Sequence, residues 1–346
     1  MQFIFGGVMK KNFYLIFYIC LSVLISTKAQ CSDKVKKNSG KLVGVAYSTW
    51  HQSENWENVW GKPKLGFYRS DDGKVICQHG KWLTEAGVNF IFVDWSNDIN
   101  YDPSVPHKKN VFDMIESATN VIFKEFYEMK KSPKICIMAG VTGSPDAVKD
   151  GRLQKKTDQI YNQYIANPTY RKLYQYYLGK PLLIIYVNTP SPFQNGIPKW
   201  SDPRFTVRWM TGYIAQQHNL VDNKNVSKYG YWSWEERGKQ TYTIYNGKPE
   251  EMTIVAAWRA DNGKGEPQPR QAVPEQGRLN GLTFRQQWNR ADSIGVKIAL
   301  VVSWNEWSRG EQPSAEISKD IEPSENFGYF YLDLLQKEIQ KFRSLK

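Results

Sequence analysis

Short apolar runs recur along the chain at intervals that predict eight β-strands. They follow a polar, lysine-rich segment that ends near residue 40. Several runs are continuously apolar rather than alternating, which is typical of parallel strands with both faces buried. The predicted strands cover residues 42–48, 88–94, 134–140, 182–187, 205–209, 229–234, 253–258 and 297–304.

Helical patterns lie between many of these runs. Apolar residues at helical spacing predict helices over residues 110–131, 155–178 (broken at Pro168), 284–294 and 327–342. Residues 188–203 and 261–281 are dense in turn residues and predict loops that follow strands. Eight strands that alternate with helices favour a single-domain (β/α)8 TIM barrel in the α/β class over an open sheet. Functional loops of such a barrel lie at the C-terminal ends of its strands.

The beginning of the chain has the pattern of a secretory signal peptide. Two lysines after Met9, the predicted true start, precede an apolar run at residues 13–25, which is shorter than the ~20 residues that span a bilayer. Thr27 and Ala29 are small residues at positions that predict cleavage before residue 30. We therefore expect an exported protein, periplasmic or extracellular, with no membrane span. The predicted parts are a signal peptide (1–29), a flexible leader (30–40) and the barrel (41–346).

An alternative to cleavage is a lipid anchor. Cys31 follows the predicted signal, and acylation there would make the protein an outer-surface lipoprotein. The neighbouring Lys28 and Gln30 fit a lipoprotein cleavage motif poorly. Two further cysteines, Cys77 and Cys136, lie in the predicted barrel without metal-binding spacing.

Charge and aromatic content narrow the class of partner. The formal net charge is +12, but the basic residues are scattered rather than concentrated in one stripe, which argues against nucleic-acid binding. The chain also contains 13 Trp and 20 Tyr, and aromatic planes pack against the C–H faces of sugar rings. We interpret this excess as a sign of a carbohydrate site, although each ring taken singly is better explained as part of the core.

Aromatic and polar residues meet at the ends of five predicted strands. A sugar site needs carboxylates for proton transfer, polar groups for hydroxyls and rings for the sugar faces. The predicted substrate-binding residues at these strand ends are Tyr47, His51, Trp95, Trp234, Trp258, Arg259, Trp304 and Asn305. Arg259 could bind an anionic substrate group or hold a carboxylate in place.

Four acids are candidates for catalysis. Glu306 comes first, because it lies between two tryptophans after an apolar strand, where desolvation could raise its pKa. The alternative for Glu306 is a buried structural glutamate paired with Arg or Lys. Asp94, directly after an apolar strand, could be a base, a hydroxyl ligand or a loop cap. Glu235 and Glu311 are further partner acids.

Other catalytic patterns are absent from the sequence. The four histidines have no zinc-site spacing, there is no G-x-S-x-G motif, and the glycine pair around Lys264 lacks the third glycine of a dinucleotide loop. Acidic turns such as Asp71-Asp72-Gly73 are better explained as Asx turns than as calcium ligands. We therefore predict no metal and no cofactor.

The C-terminal motif resembles a known family. Trp304-Asn305-Glu306-Trp307, with Gly310 and the later Ile321-Glu322-Pro323, resembles the W-N-E-W-x-E-G…E-P signature of glycoside hydrolase family 99 and the related 71/99-like barrels. Residues 44–47, 66–68 and 86–95 are similar to the first two strands of that group. The group includes endo-acting α-mannosidases and bacterial α-mannanases, so the resemblance implies a retaining α-glycosidase that needs no metal.

One position departs from the family signature. In family 99 the first motif glutamate is a base on the substrate 2-hydroxyl and the second is the acid, and Glu306 matches the first. Arg309 occupies the second position, and arginine cannot donate a proton at neutral pH. Either Glu311, Asp94 or Glu235 donates the proton, or the chemistry differs, or activity is lost. We also assign Arg309 to the substrate-binding set.

Together these patterns predict an exported, monomeric glycoside hydrolase that cleaves α-linked, mannan-like glycans. One alternative is a non-catalytic glycan-binding barrel, which Arg309 supports. Another is a hydrolase of anionic or sulfated glycans, which Arg259, Arg309 and the basic charge balance suggest.

Overall fold

The computed structural model describes residues 40–52, 56–101, 111–141, 144–188, 196–260, 273–310 and 312–344. The predicted signal peptide and leader, with the alternative lipid anchor at Cys31, lie outside these residues and stay predictions. Within the described ranges, no helix is long and apolar enough to cross a membrane.

Eight parallel strands form a nearly closed barrel, which confirms the predicted (β/α)8 architecture. Their order around the sheet is β7-β8-β1-β2-β3-β4-β5-β6. The strands are β1 (Leu42–Tyr47), β2 (Phe90–Trp95), β3 (Lys134–Gly140), β4 (Lys180–Tyr186), β5 (Thr206–Thr211), β6 (Trp232–Ser233), β7 (Glu251–Ile254) and β8 (Ile298–Val301).

Side chains close the barrel where the backbone ladder stops. In the part of the chain that the structure describes, no ladder joins β6 to β7. The Thr253 hydroxyl donates to the carbonyl of Ser233, and Trp232 Nε1 donates to Glu250 Oε2 at 3.2 Å. Gln240 Nε2 donates to the carbonyl of Thr253 at 2.7 Å. This seam is therefore held by side-chain hydrogen bonds.

Within the described ranges, five α-helices pack outside the sheet. They are α1 (Gly73–Ala86), α2 (Val111–Glu128), α3 (Arg152–Ile160), α4 (Leu282–Ile294) and α5 (Phe330–Ser344). The N-terminus of α1 is capped by Asp72, whose Oδ1 accepts the N–H of Lys74 at 2.8 Å. Asp72 thus forms the expected Asx turn. Gly87 ends α1 in the left-handed conformation.

The helix predicted over residues 155–178 is wrong in its second half. After α3 a π-helical turn covers Tyr161–Ile165, and the chain then makes turns that lead to a short strand, Tyr176–Tyr177, antiparallel to β4. Leu178 and Gly179 both have positive φ, as a tight two-residue hairpin requires. A leucine in that conformation gives no turn signal in the sequence.

The core has two layers, and strand alternation decides which side chains enter each. Phe90 and Phe92 of β2 belong to the cluster inside the barrel, whereas Ile91, Val93 and Trp95 belong to the cluster between sheet and helices. Successive strand residues point to opposite faces. Asp94 therefore points into the C-terminal mouth of the barrel.

Candidate active site

Two buried carboxylates at the C-terminal end of the barrel share one lysine. Lys319 Nζ lies 2.9 Å from Glu306 Oε2 and 3.1 Å from Glu235 Oε2, so these two oxygens are at most about 6 Å apart. Arg237 Nε donates to Glu235 Oε1 at 2.8 Å. All four side chains are buried. The cluster therefore pairs two negative with two positive charges.

The two cations set the protonation state of Glu235. Burial alone would raise the pKa of its carboxyl group. The charges of Lys319 and Arg237 and their hydrogen bonds together outweigh that effect and hold the pKa below its usual value. Glu235 is thus an ionised group at neutral pH and is suited to hold Lys319 rather than to donate a proton.

The pKa of Asp94 is shifted in the opposite direction from that of Glu235. Its Oδ1 accepts the N–H of Ser96 at 2.7 Å, and the charge of Lys319 also acts on it. Burial nevertheless dominates and raises the pKa of Asp94. A carboxyl group whose pKa is raised, within reach of the charge of Lys319 that also holds the ionised Glu235, is the arrangement expected of a proton donor.

Tyr186, at the end of β4, lies near Asp94 and the Lys319 cluster. Burial, followed by the charges of its neighbours, raises the pKa of its hydroxyl well above the usual value. The neighbours that act on it electrostatically include Asp94, Lys319 and Glu306. Tyr186 is therefore a neutral hydroxyl at the barrel mouth, able to donate or accept a hydrogen bond.

Tyr47 lies in a buried network behind the strand ends. Its hydroxyl is 2.8 Å from Nδ1 of His79 on α1, and Nε2 of the same ring is 2.9 Å from Glu322 Oε1. Tyr68 and Trp307 donate to Glu322 Oε2, each at 2.8 Å. Tyr47 is only 2% exposed. The structure thus places it in a network that braces the end of β1 against α1.

Asn305 and His51 lie in the same braced region. The amide of Asn305 pairs with the backbone of Ser48: Asn305 Oδ1 accepts its N–H at 2.8 Å and Nδ2 donates to its carbonyl at 3.0 Å. His51 Nε2 is 2.8 Å from the carbonyl of Asn305, and the ring stacks on Trp56. Burial lowers the pKa of His51. These bonds join the loop after β1 to the segment after β8.

The four predicted site tryptophans divide between the two core layers. Trp234 and Trp258 belong to the cluster inside the barrel, near its mouth. Trp95 and Trp304 belong to the outer cluster, where Trp95 Nε1 donates to Thr119 at 2.9 Å. The structure therefore brings only Trp234 and Trp258 to the same side of the sheet as Asp94.

The remaining predicted residues lie on the loops. Arg259 Nη1 donates to the carbonyl of Gly310 at 2.8 Å, which joins the loop after β7 to the loop after β8. Arg309 is exposed, and its backbone N–H donates to the carbonyl of Asn58 at 3.1 Å. Glu311 lies outside the described residues.

The sequence reasoning missed Lys319, Arg237 and Tyr186. Arg237 carried a local signal, since it stands two residues after Glu235. Lys319 carried a weaker one: it lies three residues before Glu322 of the Glu-Pro pair in the family-like motif. Its partners lie 13 and 84 positions earlier in the chain, so the pairing itself needs the fold.

Comparisons with known proteins agree with the architecture. No protein-family model matches the chain, and no curated protein matches it. Among solved structures, the GH99 endo-alpha-mannosidase from Bacteroides thetaiotaomicron in complex with BIS-TRIS-propane has a TM-score of 0.59 and 14% sequence identity, covering 88% of this chain and 98% of that one. A second structure of a GH99 endo-alpha-mannosidase from the same organism has a TM-score of 0.58 at 13% identity, with the same coverage. Over most of its length, this chain therefore has the fold of the GH99 endo-alpha-mannosidases.

Proposed function

We propose that this protein is an exported glycoside hydrolase that cleaves α-linked, mannan-like glycans at the C-terminal mouth of its barrel. The observation that carries the proposal is the contrast between two acids that are both acted on by the charge of Lys319. The pKa of Asp94 is raised by burial, whereas the pKa of Glu235 is lowered by Lys319 and Arg237. An acid whose pKa is raised by burial, combined with an ionised carboxylate held by cations, matches the acid and base needs of glycoside cleavage.

The residues take separate roles in this proposal. Asp94 donates its proton to the oxygen of the leaving group. It takes the place of the second motif glutamate, whose position Arg309 occupies in this chain. Glu306 acts as the base or nucleophile on the other side of the bond. Glu235 and Arg237 hold Lys319, which in turn holds Glu306. Tyr186, Trp234 and Trp258 contact the sugar, since they lie near the mouth of the barrel.

The test is hydrolysis of yeast α-mannan and α-linked manno-oligosaccharides, followed by chromatography of the products. We expect Glu306→Gln and Asp94→Asn each to lower kcat/KM by about 10²–10⁴-fold, the usual contribution of a positioned acid or base. Glu325→Gln is the matched control, because Glu325 is an exposed partner of Lys62. Full activity of Glu306→Gln, with the fold intact, would refute the assignment.

A non-catalytic glycan-binding barrel is the second candidate. Two observations favour it: Glu306 is already paired with Lys319, and Arg309 stands at the position of the second motif glutamate. A glycan array that includes sulfated glycans tests binding in the absence of cleavage. Arg259 and Arg309 at the mouth of the barrel would favour glycans that carry sulfate groups. Binding without any product, from acid to alkaline pH and over long incubation, would establish the binding function instead.

A further inference from the structure

Asp320 holds the backbone that carries Glu306. Its Oδ1 accepts the N–H of Glu306 and its Oδ2 accepts the N–H of Trp307, both at 2.7 Å. The hydroxyl of Ser303 donates to Oδ1, and Trp60 Nε1 donates to Oδ2 at 2.8 Å. Asp320 is 1% exposed. One buried carboxylate thus accepts four hydrogen bonds, two of them from consecutive backbone N–H groups.

The backbone at this point has an unusual conformation. The φ of Trp307 is 60°, and the N–H of Ser308 donates to the carbonyl of Glu306 at 2.8 Å. A hydrogen bond between residues two apart, around a central residue of positive φ, is the rarer and strained form of the γ-turn. A bulky residue keeps such a conformation only where its surroundings enforce it. The two bonds to Asp320 are positioned to do so.

The turn sends its two side chains to different places. The Glu306 carboxylate meets Lys319 at the barrel mouth, whereas the Trp307 ring stacks on Trp60 with centroids 4.5 Å apart. Lys319 directly precedes Asp320. This pair of residues therefore fixes Glu306 twice, through its side chain and through its backbone.

We propose that Asp320 is a positioning residue: by holding the γ-turn at Trp307, it aims the carboxylate of Glu306 into the barrel mouth. This inference rests on the proposed function, because it assigns Asp320 a part in the reaction through Glu306. Asp320→Asn keeps the size of the side chain but places an NH2 group against two donors. The side chain at position 320 can then no longer accept all four hydrogen bonds.

The test measures both geometry and rate. Crystal structures of the wild type, Asp320→Asn and the control Ser303→Ala give the distance from Glu306 Oε2 to Lys319 Nζ. Ser303→Ala removes one donor to Asp320 but leaves both backbone bonds. We expect the distance to exceed 4 Å only in Asp320→Asn. We also expect its kcat on α-mannan to fall about 10²-fold, the cost of a displacement near 1 Å.

A pH profile separates positioning from simple loss of folded protein. A smaller folded fraction lowers the rate equally at every pH. Loss of the Lys319 contact instead moves the acid limb of kcat/KM to higher pH, because a carboxylate that loses an adjacent cation is protonated more readily. Ser303→Ala should keep the wild-type profile. If Asp320→Asn does not fold, Asp320→Glu serves the same test, since it keeps the charge and moves the carboxylate by one methylene.

The outcomes are distinct. An unmoved Glu306 in the Asp320 variant overturns the inference, whether or not the wild type cleaves mannan. A displaced Glu306 in a protein that never cleaves glycan supports the geometric role and refutes the proposed hydrolase. A displaced Glu306 with unchanged kcat and pH profile refutes the part of Asp320 in the reaction.

Discussion

Removal of the shared lysine is the sharpest perturbation of the site. In Lys319→Met, Glu306 loses this cation and Glu235 keeps only Arg237 as an ion-pair partner among the described residues. All of these side chains are buried, so the pairs belong to the class in which removal of one partner costs about 3–5 kcal/mol. We therefore expect the free energy of unfolding at pH 7 to fall by that amount.

The loss should depend on pH with a defined sign. The folded-state pKa of Glu235 is lowered, so the stabilisation from its ionised form is present above its ordinary pKa of 4.5 and disappears as the pH falls through the lowered value. Lys319→Met removes a main cause of that lowering. The difference from wild type should thus be largest near neutral pH and shrink below about pH 4, where carboxylates take up protons.

Urea unfolding followed by tryptophan fluorescence, at pH 7 and at about pH 3, measures both effects. Lys62→Met is the matched control: Lys62 Nζ lies only 2.7 Å from Glu325, but the side chains are 46% and 57% exposed. An exposed pair is worth at most about 1 kcal/mol despite its short distance. Equal losses for the two variants, or a Lys319→Met loss that does not change with pH, would refute the reasoning that burial decides the energy.

Three further predictions concern the scaffold. Gly140→Ala should lower the free energy of unfolding, measured by urea titration, by about 3 kcal/mol or more. The reason is that a Cβ at this position would lie 2.0 Å from the carbonyl oxygen of Ser96. A variant as stable as the wild type would contradict this close approach. Leu178→Asn should raise the free energy of unfolding by up to about 1 kcal/mol, because asparagine adopts positive φ more readily than leucine and Leu178 is exposed. Thermal unfolding measures the change, and a lower melting temperature in the variant would contradict the prediction. Burial raises the pKa of Asp98 to about 8; the charge of Lys156 lowers it and Glu116 raises it, and both effects are smaller than that of burial. The contribution of Asp98 to stability should therefore fall as pH rises from about 4 to 8, and the difference in urea stability between wild type and Asp98→Asn should change with pH over that range; a difference that does not change with pH would contradict the prediction.

The sequence pattern predicts the strands well because burial on both faces leaves a continuous apolar run. All eight predicted strands correspond to barrel strands, including the two-residue β6. Strand alternation carries further information, because consecutive residues of one strand face opposite sides of the sheet. Asp94 and Trp95 are such a pair, so they cannot both face the barrel mouth, although both are plausible site residues by type.

The sequence pattern does not predict which charged residues pair with one another. The local signal at Lys319 is too weak to identify its partners, because its role depends on Glu235 and Glu306, which the fold brings beside it. The same holds for Tyr47, whose partners His79 and Glu322 come from α1 and from the segment after β8. Candidate residues at strand ends can thus be named from sequence, while their hydrogen-bond partners depend on how the fold packs distant segments together.

The seam between β6 and β7 gives the barrel an uneven resistance to local opening. Every other pair of neighbouring strands is joined by a backbone ladder, but here the closure relies on a few side chains such as Thr253 and Trp232. Amide hydrogens on both sides of this junction should exchange with solvent earlier than those of β1 to β3. Glu235 lies two residues after the end of β6, so each local opening at this junction loosens one of the two carboxylates that hold Lys319.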